Sequence, residues 1–127
     1  MTRVLVVDNH DSFVHTLVGY LSELGAETVM IESDATDAAQ LEHMLPAYDA
    51  VMLSPGPGTP ADAGASLDAV RIATRLRIPT LGVCLGHQTI CEAFGAPVIA
   101  APELMHGIVS AVTHDGSPLF DGVPSPF

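Results

Sequence analysis

The sequence predicts an α/β domain: a doubly wound, mostly parallel sheet with helices on both faces. Short apolar, β-branched runs alternate with stretches of helical periodicity, and such βα repeats close through right-handed crossovers into a parallel sheet. The runs end in polar or Gly- and Pro-rich loops, as buried strands do where they give way to a turn.

Arg3 to Val7 (RVLVV) reads as the first strand, running into the polar cluster Asp8-Asn9-His10-Asp11. Asp11 or Ser12 can cap a helix whose apolar positions are Phe13, Leu17, Leu21 and Leu24, and Gly25 terminates it. Thr28 to Ile31 is the second strand and Asp37 to Leu45 a short helix. Ala50 to Leu53 is the third strand, followed by the turn Ser54-Pro55-Gly56-Pro57-Gly58. Ala65 to Leu76 is a helix, Thr80 to Val83 a strand, and Gly86 to Phe94 a helix ending at Gly95. After Pro97 the alternation fades, and Val98 to Ala100 and Ile108 to Thr113 are expected to be strands in a more irregular region.

The 127 residues, 48% of them apolar, fit one domain spanning 1–127. Fifteen acidic residues against four basic ones, all arginine, give a formal charge of -11, which repels phosphate backbones and anionic headgroups. No nucleic-acid partner is therefore expected. No apolar run is long enough to span a bilayer and the start carries no basic segment before an apolar core, so a cytoplasmic protein without membrane contact is expected. Cys84 and Cys91, seven apart along one helical stretch, cannot reach disulfide geometry and are read as free thiols.

In an open parallel sheet, ligands bind in loops at the carboxyl ends of the strands. After the fourth strand stands Gly82-Val83-Cys84-Leu85-Gly86-His87-Gln88, whose Gly-x-Cys-x-Gly core suits a sharp strand-to-helix turn that pushes one side chain out over the sheet edge. That side chain is a thiol at a helix N-terminus, which favours anions, and the Leu85 N–H is well placed to hold an oxyanion. The alternative is a small residue packing a strand end. The loop Ser54 to Pro60 is stiffened by prolines and opened by glycines, so it can present N–H groups to a carboxyl or carbonyl oxygen. It lacks the Gly-Lys-Ser/Thr ending of a phosphate cradle. Asp8, His10 and Asp11 resemble a metal cluster only superficially; at a strand end they suit helix capping, and no metal or cofactor is expected. Met44, Met52 and Met105 are read as filler of the core or a partner surface.

Five motifs in order, Asp8-Asn9-x-Asp11-Ser12-Phe13, Ser54-Pro55-Gly56-Pro57-Gly58, Gly82 to Gln88, Met105-His106-Gly107 and His114-Asp115-Gly116, make the chain resemble the class I glutamine amidotransferases. The likeness is to the glutaminase component of anthranilate synthase and 4-amino-4-deoxychorismate synthase. It implies a flavodoxin-like fold, a nucleophilic Cys84, an oxyanion hole from the backbone of Gly58 and Leu85, and glutamine held by Gly56, Pro57, Gly58 and Gln88. It also implies a chorismate-binding synthase, as a separate subunit or a fused domain, that receives the ammonia.

The resemblance implies further that a His-x-Glu pair completes a Cys-His-Glu triad near the end of a chain of roughly 190 residues. The present residues would then be the N-terminal two thirds of the domain. Without a general base they are expected to turn glutamine over about 10²- to 10⁴-fold more slowly. Family members usually carry a lysine after Met-His-Gly, where Ile108 stands here. A signalling receiver domain shares the βα alternation but needs an Asp at the third strand end and a lysine, whereas Ser54 and a lysine-free chain stand here. A catalytically inactive amidotransferase-like binding or regulatory module is the competing reading.

Overall fold

Four strands, β1 (Arg3–Asp8), β2 (Glu27–Glu32), β3 (Ala50–Leu53) and β4 (Thr80–Gly82), form one parallel sheet in the order β2-β1-β3-β4 in the computed structural model, which describes residues 1–127. Val7 lies opposite both Ile31 and Leu53, and Leu53 opposite Gly82, so the strands end along one common edge. The order reverses direction between β1 and β3, which makes that edge the crevice where doubly wound sheets bind ligands.

Alternation along β1 divides the core in two, because successive side chains point to opposite faces. Leu5 and Val7 join Val51 and Leu53 under helices α2 (Ala38–Met44) and α3 (Ser66–Leu76), which contribute Leu41, Ala69, Val70 and Ala73, while Ile90 and Ala93 of α4 (Leu85–Ala93) pack at the margin. Val4, Val6 and Met52 face helix α1 (Val14–Glu23), which seats Val14, Leu17, Val18 and Leu21. The helices thus cover both faces, as expected, but unevenly. Beside α1 an apolar groove of about 540 Å³ runs over β3 and β4, lined by Val4, Leu21, Leu24, Met52, Leu81 and Leu119 among others.

Several element boundaries move by a residue, for local reasons. Asp37 is the cap of α2 rather than its first residue: its carboxylate accepts from the Gln40 N–H at 2.8 Å, and the Gln40 side chain accepts from the Asp37 N–H at 3.0 Å. Asp11 Oδ1 accepts from the Phe13 N–H at 2.8 Å, holding the turn before α1 instead of the helix end itself. Phe13 and Leu24, expected on the buried face of α1, lie at its two ends and are 50% and 84% exposed.

The expected strands at 98–100 and 108–113 do not form. Ile99 and Val109 are 83% and 99% exposed, and only Val112 and Phe127 exchange a reciprocal pair of backbone hydrogen bonds, at 3.0 and 2.9 Å. β-Propensity needs a neighbouring strand and a buried face, and neither run has them.

Gly19, exposed in the middle of α1, has open space where a Cβ would stand and an ordinary helical backbone. Gly19→Ala should stabilise the fold by roughly 0.5–1 kcal/mol through reduced chain entropy, measurable as a higher denaturation midpoint in urea. A lower midpoint would mean that α1 is not helical there.

Candidate active site

Cys84 caps α4 with φ 54° and ψ -111°, a backbone conformation that a side-chain-bearing residue adopts only under constraint. The two flanking glycines supply the constraint. A Cβ on Gly82 would meet the Gly86 carbonyl carbon at 2.4 Å, and one on Gly86 would meet the Leu53 carbonyl oxygen at 2.3 Å. Only glycine at both positions lets the chain double back from β4 into a helix lying directly on β3. The turn is closed by the Gly86 N–H donating to the Val83 carbonyl at 3.0 Å, and β4 is tied to its neighbour by the Val83 N–H donating to the Leu53 carbonyl at 3.0 Å. The thiol is left exposed, so Cys84 does not serve as core packing. Backbone strain of roughly 1–3 kcal/mol held by surrounding structure is typical of a site where one side chain must be presented.

Leu85 is the first residue of α4, where a backbone N–H has no acceptor within the helix. Its side chain is buried and touches the neighbouring loop: a Cβ on Gly56 would lie 3.0 Å from Leu85 Cδ2. The Ser54 to Gly58 loop therefore lies against the elbow. Within it Ser54 and Pro55 are buried and Pro57 and Gly58 are exposed, with Gly58 at φ +81° and its N–H donating to no group of the protein. Beyond it the Thr59 N–H and hydroxyl both donate to Asp62 Oδ2 at 2.8 Å, and these bonds hold the Asp62 carboxyl below the ordinary carboxylate range. Gln88 sits one turn into α4, its N–H donating to the Cys84 carbonyl at 3.0 Å, and its side chain is half-buried. The elbow that exposes the Cys84 thiol and the Ser54 to Gly58 loop, with its unengaged Gly58 N–H, thus follow neighbouring strands at one sheet edge and touch through Gly56 and Leu85.

None of the six histidines hydrogen-bonds Cys84. His87 turns along α4 to Cys91, with Nε2 3.5 Å from that sulfur. His114 is engaged by the Val123 carbonyl at 2.9 Å, by the Gly116 N–H at 3.0 Å and by the stacked Phe120 ring. His106 lies in an exposed irregular segment.

Two features of this edge escaped the sequence reading. Asn9 forms a buried hydrogen-bonded cluster with Ser54 and Ser66, residues 45 and 57 positions away. Its only advance sign was a polar residue abutting a buried strand. His10, at φ 65°, pairs its Nε2 with Asp34 Oδ1 at 2.7 Å, joining the loops after β1 and β2. That hydrogen bond, and then the Asp34 charge, raises the imidazole pKa, and the same hydrogen bond lowers that of Asp34. The His10 contribution is complete below the ordinary imidazole value of about 6.5 and fades as pH rises through its raised value. The Asp34 contribution is present above about 3.9 and is lost as pH falls through its lowered value. The pair is therefore fully formed between those two ordinary values. In an NMR titration the His10 ring should give a midpoint above 6.5 that Asp34→Asn lowers; an identical midpoint in both proteins would mean that the pair does not exist in solution.

Residues 5–127 match the family Glutamine amidotransferase class-I, and the chain belongs to that family. It is 52% identical over 126 residues to anthranilate synthase component 2 of Thermus thermophilus, an alignment covering 98% of this chain and 60% of that one. It is 45% identical over 123 residues to the aminodeoxychorismate/anthranilate synthase component 2 of Bacillus subtilis, with 97% and 62% covered. A crystal structure described as that of a GMP synthase subunit from Thermoplasma acidophilum superposes with a TM-score of 0.75 at 29% identity, covering 98% of this chain and 61% of that one. The chain thus spans about 60% of the length of the Thermus and Bacillus relatives. No helix is long and apolar enough to cross a membrane.

Proposed function

We propose that this chain is the glutaminase component of a chorismate-using synthase, either anthranilate or aminodeoxychorismate synthase, and that it works in the cytoplasm. The observation that carries the reading is the strained elbow that exposes Cys84 at the start of α4, with Leu85 of that elbow touching the Gly56 loop. The names of the Thermus and Bacillus relatives support the same assignment and the same partner.

In this reading glutamine lies across the Gly56-Pro57-Gly58 loop with its carboxamide over Cys84, and the Gln88 side chain helps to hold it. The Cys84 thiolate attacks the carboxamide carbon, and the oxyanion of the tetrahedral intermediate is held by the N–H groups of Leu85 and Gly58. The C–N bond breaks, ammonia leaves, and a glutamyl thioester remains on Cys84. Water then hydrolyses the thioester to glutamate and regenerates the thiol. Proton transfers at the sulfur and the leaving nitrogen need a general acid–base, which the family resemblance assigns to a His-x-Glu pair. Since no histidine here contacts Cys84, that pair is the proposed source. The ammonia passes to the chorismate-binding partner.

Glutamate release by the full-length protein, measured with and without the synthase partner and chorismate, tests this. Turnover should rise when the partner and chorismate are present, with the aminated product formed in step with glutamate. A complex that makes product only from free ammonium, with no glutamate released, would contradict it.

A further inference from the structure

Asn9 lies at the carboxyl end of β1, far in sequence from Cys84 and Gly58, yet it holds the near end of the Ser54 to Gly58 loop. Its backbone N–H donates to Ser54 Oγ at 2.8 Å, and that hydroxyl donates onward to the Pro55 carbonyl at 2.7 Å. Its side-chain Nδ2 donates to the Ser54 carbonyl at 3.0 Å, and its Oδ1 accepts from Ser66 Oγ, at the start of α3, at 2.7 Å. Asn9 is 3% exposed and both serines are fully buried. Every polar atom of the Asn9 side chain is thereby committed, which fixes which way its amide points. Gly56 then rests on this residue: a Cβ there would lie 2.4 Å from the Asn9 carbonyl oxygen and 2.5 Å from Asn9 Cβ.

The loop is therefore clamped at two places. The Thr59–Asp62 bonds hold its far end at the surface, and the Asn9 cluster holds its near end in the interior. A buried, fully satisfied polar cluster of this kind specifies one backbone arrangement, because any shift strands a donor or acceptor away from water. Ordinary strand packing does not need it, since the β1–β3 ladder already closes at Val7 and Leu53.

We propose that Asn9 is a positioning residue for the glutaminase reaction, setting the path of Pro55 to Gly58 through Ser54 and Ser66 so that the Gly58 N–H meets the oxyanion formed over Cys84. The proposal rests on the glutaminase reading above and adds a residue to it. Asn9→Asp keeps the shape and the acceptor for Ser66 but places a carboxylate oxygen against the Ser54 carbonyl, which pushes the loop away. A displacement of about 1 Å at a reacting group can cost about 100-fold in rate. The variant should accordingly lose on the order of 100-fold in glutamine-dependent kcat, with a smaller change in KM.

Two readouts separate positioning from general stability. Ammonia-dependent synthesis by the complex should stay at the wild-type level, and iodoacetamide, which needs no oxyanion hole, should alkylate Cys84 at the wild-type rate. Loss of all three together would mean that Asn9 only supports the fold, and would overturn the proposal. So would an unchanged glutamine-dependent kcat. Should Asn9→Asp fail to fold, Ser66→Ala takes its place: it removes one hydroxyl at the far side of the cluster and should give the same selective loss at about 10-fold. Cys84→Ala is the control that keeps the two ideas apart. If it leaves glutamine-dependent activity intact, the glutaminase reading itself is wrong; if it abolishes that activity while Asn9→Asp does not lower it, only the role of Asn9 is.

Discussion

Cys84→Ala should abolish glutamine-dependent synthesis, by about 10⁴-fold or more, while ammonia-dependent synthesis by the partner continues. The size follows from the covalent step. With the sulfur gone no thioester forms, and water must attack a carboxamide with help only from the Leu85 and Gly58 N–H groups. Stability should change little or improve, because the thiol is exposed and packs nothing. The strain of the turn, φ 54° and ψ -111°, persists with alanine. Steady-state rates with glutamine and with ammonium, measured on the same preparation, check the split. Equal loss of both activities would place Cys84 at the contact with the synthase instead of in the chemistry.

Gly86→Ala should be strongly damaging, even though alanine favours a helix over glycine by about 1 kcal/mol. The added Cβ would stand 2.3 Å from the Leu53 carbonyl oxygen and 2.6 Å from Leu53 Cβ. Leu53 is itself fully buried, and its carbonyl also accepts the Val83 N–H, so neither side can give way without moving backbone. Overpacking of this kind costs about 1–3 kcal/mol, and more where backbone must shift, which outweighs the propensity gain. The melting temperature should fall by about 5 °C or more, and glutaminase activity should fall by about 100-fold, because lifting α4 moves the elbow from the Gly56 loop. Thermal unfolding of Gly86→Ala beside Gly19→Ala reads the contrast directly: the same chemical change should destabilise where backbone is close and stabilise where space is open. A Gly86→Ala protein as stable as the wild type would mean that α4 does not dock on β3 as described.

The fold was legible because periodicity reports burial. Continuous apolar runs marked strands covered on both faces, as at Val4 to Val7, and the Gly-x-Cys-x-Gly spacing marked a turn too sharp for side chains at its flanks. The region after Pro97 was misread because two apolar runs there resemble strands locally, and local preference cannot say whether a partner strand exists. The site was legible only in part for the same reason. The Cys84 turn announces itself through its own flanking glycines, and the roles of Gly58 and Gln88 came only from the family resemblance, whereas the Asn9–Ser54–Ser66 cluster depends on three elements meeting, and no short-range spacing encodes it. The His10–Asp34 pair likewise joins two crossover loops whose meeting follows from the strand order alone.

The central claim is that Cys84 is a nucleophile aimed at the carboxamide of glutamine, and covalent labelling tests it most directly. The full-length protein should be treated with a glutamine-like diazo-ketone and the modified peptide identified by mass spectrometry. Cys84 should carry one label, glutamine should protect it, and Cys91, half-buried and turned to His87, should stay unmodified. Labelling of both thiols alike, or of neither, would contradict the account.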